Sequence, residues 1–185
     1  IYVCAEGSDE LAKRLDAWDA MKSADGVSYQ NGLPIYVVPH AVVLSQASQK
    51  QELIDKIMGV VERDLNGATP VAVFIDTLAR CSDGDENSTE DMSLFVAAAD
   101  GLRTRLNGPA VISVHHTPKS NPEDMRGASA LRGALNSAIC LSLRGAGTQE
   151  EQCILMRCDK QKDLPSFPDQ ALARVQVQLP YCNYY

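Results

Sequence analysis

The chain has 185 residues, 45% of them hydrophobic, which is enough to bury a core and too apolar for a disordered protein. Its formal charge of -7 excludes a uniformly basic nucleic-acid-binding surface, though not local basic loops on an acidic body. With one Trp and three Phe, the core has to be built from Val, Ile, Leu and Ala.

Residues 1–5 read as a short buried strand that stops at Glu6-Gly7. Ser8 or Asp9 is placed to cap a following helix whose apolar stripe is Leu11, Leu15 and Trp18. After a loop around 26–32, residues 35–38 form a second strand closed by Pro39. Ser48 and Gln51 have the spacing of a capping box before Leu53, Ile57, Val61 and Leu65, a helix that Asn66-Gly67 ends.

Residues 71–75 are an apolar strand that runs straight into Asp76. CSDGDENST, 81–89, is polar loop, and Ser88 with Asp91 offers a second capping box. Leu94, Ala98, Leu102 and Leu106 then make one helical face, terminated by Asn107-Gly108. An all-apolar strand at 110–114 leads into His115-His116. Beyond a loop at 119–129 come a short helix at 130–136 and strands at 138–143, 153–158 and 173–179, the last two joined antiparallel or lying at an edge.

The six cysteines, at 4, 81, 140, 153, 158 and 182, include no CxxC pair, and four lie in strand-like runs where a thiol is a small hydrophobe. No apolar stretch of about 18 residues occurs and no secretory leader pattern is seen. The expectation is a cytoplasmic protein with reduced thiols.

Strand–helix alternation over 1–118, with near-continuous apolar strands, predicts a parallel sheet covered on both faces. Such sheets bind ligands beyond the carboxyl ends of their strands, where Glu6, Asp76 and His115 or His116 all fall. Asp76 is a candidate Mg²⁺ ligand; the plain alternative is a carboxylate that caps a turn. Glu6 is a candidate general base for an attacking water, or else a solvated turn residue. Strand alternation lets only one of His115 and His116 face a ligand.

Asp83, Asp85 and Glu86 crowd the loop after Asp76, so a hydrolytic metal centre drawn from Asp76, Asp83, Asp85 and His115 is a minor alternative. Arg126, Arg132, Arg157, Lys160 and Lys162 supply cations suited to phosphate, or ordinary surface charge. No G-x-S-x-G, no G-x-G-x-x-G and no G-x-x-x-x-G-K-[ST] occurs anywhere.

The ordered set IYVCAEG, VAVFIDTLARCSDGDENSTEDM, VISVHHTPKS, RGASALRGALNS and DKQKD resembles the RepA-like branch of the RecA/DnaB-type P-loop ATPases over about residues 1–165. The resemblance implies an α/β, three-layer RecA-like fold with a mainly parallel central sheet, N-terminally truncated. Residues 1–180 would be the ATPase core and 181–185 a tail. It implies ATP and Mg²⁺ as cofactors and a ring-shaped homo-oligomer, off the membrane, acting as a DNA helicase in plasmid, phage or mobile-element replication.

Position by position, Asp76 matches the metal-binding aspartate, with Thr77 a nucleotide contact beside it. Glu6 matches the carboxylate that activates water. His116, with His115 next to it, resembles the γ-phosphate sensor. Arg132 or the 157–162 segment, including Lys160, is similar to the group that reaches a neighbouring protomer's nucleotide, and Lys162, Arg126 and Arg14 are further nucleotide-side contacts. The loop at 117–129 matches a single-stranded DNA contact.

The phosphate-cradling unit of the family, its strand, loop and helix, has no counterpart in the sequence. Its strand would lie between those at 110–114 and 138–143. The expectation is compromised hydrolysis in this chain, because holding phosphates is most of the catalytic task. The rival reading is a non-catalytic RecA-like module that binds DNA or a replication partner.

Overall fold

A computed structural model describes residues 1–27, 33–64, 67–117, 129–146 and 152–179. The chain divides into two compact units, Ile1–His115 with Val177–Tyr185, and His116–Gln176.

The first unit alternates strands and helices: β1 (Tyr2–Cys4), α1 (Ser8–Ala24), β2 (Val37–Val38), α2 (Ala47–Asp64), β3 (Ala72–Asp76), α3 (Leu78–Cys81), α4 (Thr89–Arg105) and β4 (Ala110–Val114). Its strands form one parallel sheet in the order β2-β1-β3-β4. The fold is α/β, a mostly parallel sheet flanked by helices, as the periodicity predicts. Val73 and Ile75 of β3 are fully buried. Leu53, Ile54, Ile57 and Val61 of α2 and Met92, Phe95, Ala98 and Leu102 of α4 complete the core, and these two helices touch.

Several local expectations shift. The α1 N-cap is Gly7 in the left-handed region (φ 65), with no side-chain cap from Ser8 or Asp9. Leu11 is the buried residue of α1, whereas Trp18 is 37% exposed. A 17-residue helix is about 25 Å long, longer than neighbouring strands of five residues or fewer. The strand at 35–38 contracts to two residues. Helix α2 begins at Ala47, so Ser48 and Gln51 lie inside it, and Gln51 bonds Asp55 along the helix instead of closing a box. The polar segment after Asp76 opens with the short helix α3, which the sequence pattern did not show.

The second capping box behaves as expected at its Ser: Ser88 Oγ accepts from the Asp91 amide at 3.2 Å. Leu106 is buried with Leu102, but Leu94 is 55% exposed, because Met92 and Phe95 take the inward stripe. Two residues along a helix is a turn of about 200°, so Leu94 points away from Met92. Asn107 and Gly108 both adopt positive φ, and the Gly108 amide bonds back to the Arg103 carbonyl, closing α4 where the sequence says it should end.

The second unit holds α5 (Ser129–Ala134) and an antiparallel sheet of β5 (Ser137–Arg144), β6 (Cys153–Gln161) and β7 (Gln170–Ala173) in that order. The last strand thus starts three residues before the expected 173–179 and ends at Ala173. On β5, Ile139, Leu141 and Leu143 are 54%, 59% and 56% exposed. Apolar content alone reads them as core; alternation places them together on one open face. Cys4, Cys81, Cys140, Cys153 and Cys158 are free thiols. Among the described residues no helix is long and apolar enough to cross a membrane.

Candidate functional site at the carboxyl rim of the parallel sheet

Register sets the site. Cys4 of β1 pairs with Asp76 of β3, and Asp76 pairs with Val114 of β4, so adjacent parallel strands end level with one another. Glu6, Asp76 and His115 follow from those ends on one rim of one sheet. The turn after β1 is held by two bonds, Ala5 N–H to the Asp76 carbonyl at 2.7 Å and Cys4 Sγ–H to the Glu6 carbonyl at 3.1 Å. Gly7 then turns the chain into α1, and a Cβ there would stand 3.8 Å from Arg14 Nη2. Arg14 therefore reaches back toward the rim from the second turn of α1.

Both rim acids have close partners. The Tyr2 hydroxyl donates to Asp76 Oδ2, and the Tyr2 ring stacks on Phe74. Burial, then that bond, push the Tyr2 phenol well above its usual range, so it stays a donor to the carboxylate. Burial raises the Cys4 thiol likewise, so it sits protonated against the strand. Glu6 Oε1 accepts from Arg80 Nε at 2.9 Å and from Thr77 Oγ1 at 3.3 Å. Thr77 is the one buried polar residue among the described core positions, at 2% exposure. Its hydroxyl joins the ends of β1 and β3.

His115 Nδ1 lies 4.0 Å from Glu86 Oε1, with both side chains largely buried. The pair is ionic only when the imidazole is protonated. His116 is exposed and belongs to the second unit. Asp83 Oδ2 accepts from Gln46 Nε2, Asp85 Oδ1 accepts from Asn87, and Asp91 Oδ2 accepts from the Asp85 amide. Asp85 and Asp91 close their own loop, and Asp83 ties it to the residue before α2. Among the described residues no group of three His, Cys, Asp or Glu side chains is gathered to hold a metal, so the hydrolytic metal centre on Asp76, Asp83, Asp85 and His115 has no ligand set.

In the second unit, Arg132 pairs with Asp159 at 2.9 Å, and Lys160 Nζ donates to the Arg132 and Gly133 carbonyls, satisfying the C-terminal end of α5. The Lys162 amide bonds the Asn136 carbonyl. Arg126 and most of the 117–129 loop lie outside the described residues.

Tyr2 and Arg80 are the residues that sequence reasoning missed, and Glu86, noted there only as a loop acid, is the partner of His115. Tyr2 sits opposite Phe74 in the register, a neighbour relation that only strand order reveals.

Asp76 and the Glu6–Thr77 pair thus lie on one rim of a parallel sheet, where sheets of this kind bind ligands. Residues 1–122 match a family model described as an AAA domain. The chain belongs to that family. This AAA domain is a P-loop NTPase of RecA-like character in its fold. No curated protein shows significant similarity to the chain.

The donor chemistry of the AAA domain's rim fits Mg²⁺ carried by a nucleotide. Mg²⁺ takes one or two carboxylates and fills the rest of its octahedron with phosphate oxygens and water, so Asp76 needs no cluster around it. The Tyr2 hydroxyl orients that carboxylate from behind.

Proposed function

We propose that this AAA domain belongs to the ATPase core of a ring-forming DNA motor of the RepA-like, replicative-helicase type, with hydrolysis compromised because the sequence holds no phosphate-cradling unit. One observation carries the reading: β1 and β3 end level at Cys4 and Asp76, Glu6 follows two residues after Cys4, and Thr77, next to Asp76, donates to Glu6. In this reading Asp76 and Thr77 hold the metal side of the nucleotide. Mg²⁺, when bound, supplies charge neutralisation for the phosphates. Glu6 orients water and takes its proton, and His115, close to Glu86, relays the state of the site toward His116 and the loop at 117–129.

Arg14 lies on the same rim by its approach to Gly7. Arg132, Lys160, Lys162 and Arg126 are proposed for contacts between protomers or with single-stranded DNA. A cation borrowed from a neighbour would link hydrolysis to ring motion. The acidic body with basic loops suits DNA gripped by loops inside a ring better than DNA spread over an outer surface.

The second reading, a non-catalytic RecA-like module for DNA or a replication partner, is favoured by one feature: the sequence contains no G-x-x-x-x-G-K-[ST] segment. Fluorescent mant-ATP titration with Mg²⁺ and a phosphate-release assay separate the two. The motor reading expects mant-ATP binding that Asp76→Asn weakens in its Mg²⁺ dependence. It expects Glu6→Gln, in a protein that also carries the phosphate-cradling unit, to keep that binding while turnover drops by about two orders of magnitude. Undetectable mant-ATP binding assigns the chain to the second reading, and full turnover in Glu6→Gln removes Glu6 from the role of base.

A further inference from the structure

Arg80 is assigned no role by the family resemblance, yet its guanidinium donates to Glu6. Helix α3 fixes its backbone: Leu78 and Cys81 are fully buried and anchor the turn, while Ala79 and Arg80 face outward. Only the Arg80 side chain is left able to swing. Its Nε donates to Glu6 Oε1 at 2.9 Å, with Thr77 Oγ1 on the same oxygen. Among the described residues the Arg80 Nη groups make none of the hydrogen bonds, so most of the donors of the guanidinium remain for another acceptor.

We infer that Arg80 is a partner-exchange residue of the nucleotide site: it holds Glu6 while the rim carries no polyphosphate and moves to phosphate oxygens when a nucleoside triphosphate enters, releasing Glu6. This rests on the reading of Glu6 and Asp76 proposed above.

Energetics favour the exchange. The Arg80 and Glu6 side chains are 65% and 39% exposed, and ion pairs in such surroundings contribute only about 0–1 kcal/mol. A triphosphate brings a larger charge and paired oxygens that match the guanidinium fork, so it outcompetes a single carboxylate oxygen. Asp76, Asp83, Asp85 and Glu86 make the neighbourhood acidic, and a cation withdrawn from Glu6 toward the phosphates lowers the repulsion an entering nucleotide meets.

Mant-ATP affinity in Mg²⁺ tests the exchange without relying on turnover. The variants are Arg80→Ala, Arg80→Lys, Glu6→Gln and Arg80→Ala with Glu6→Gln, each checked for an unchanged melting temperature. Arg80→Ala is expected to weaken binding about tenfold, the loss of one charge-assisted contact. Arg80→Lys restores part of it. Glu6→Gln tightens binding several-fold, because Arg80 no longer has to leave a carboxylate.

The deciding measurement is the double variant. If exchange operates, Glu6→Gln has no effect once Arg80 is Ala. Equal tightening by Glu6→Gln in both backgrounds means simple relief of charge repulsion and overturns the inference, as does an Arg80→Ala protein of unchanged affinity. Failure of the unmodified protein to bind mant-ATP overturns the nucleotide reading itself, and this inference with it. Binding without coupling overturns the exchange alone.

Discussion

The Tyr2 hydroxyl donates to Oδ2 of Asp76, tying the first residue of β1 to the last residue of β3 across the pairing of their strands. The aromatic ring is held independently, its centroid 5.7 Å from that of Phe74 with the planes 18° apart. Orientation of the Asp76 carboxylate therefore depends on a residue inside the sheet and not on the loop beyond it.

Tyr2→Phe keeps the ring stack and removes only the bond. It is expected to lower stability by about 1–2 kcal/mol in urea unfolding, since the acceptor is a carboxylate and water replaces part of the loss. Unchanged stability would mean that Asp76 is fully solvated without Tyr2.

Cys81 gives the chain a pH dependence on its alkaline side. Its side chain is fully buried, and burial, the largest cause, raises its thiol above the ordinary range. A group raised in the folded state contributes stability that is complete below its unfolded value, about 8.5, and is lost as pH rises through the folded one. Unfolding midpoints should therefore fall between pH 8 and 10. Iodoacetamide at pH 8, read by peptide mass spectrometry, should label Cys153 well before Cys81. Equal rates would place Cys81 at the surface.

Leu102 and Leu94 look equivalent in the sequence stripe but are 0% and 55% exposed. Leu102→Ala is expected to cost about 2–5 kcal/mol by opening a cavity against the sheet. Leu94→Ala should change stability by less than about 0.5 kcal/mol, the usual range for a surface position. Similar losses at both would show that α4 is rotated relative to its described orientation.

Much of the fold was legible because its signals are local. The strand at 110–114, the cap at Ser88 and the stop at Asn107-Gly108 each depend on residues within one turn or one strand, and each lies where the sequence puts it. The α1 cap and the Ser48–Gln51 box failed for the complementary reason. Whether a hydroxyl caps a helix depends on where the preceding chain enters, and at Gly7 a left-handed residue fixes that entry. Leu94, Trp18, Ile139, Leu141 and Leu143 show the same limit: an apolar side chain announces a preference for burial, but its neighbours decide whether it is met.

The sequence by itself determined that Glu6, Asp76 and His115 each follow a strand, because hydrophobic runs and their ends are written in consecutive residues. Only the tertiary structure decided that two of those ends lie side by side, with Tyr2 on Asp76 and Arg80 on Glu6, 74 positions apart. Strand order and register come from the packing of helices on a shared sheet, a balance summed over the whole core that no short stretch of chain carries.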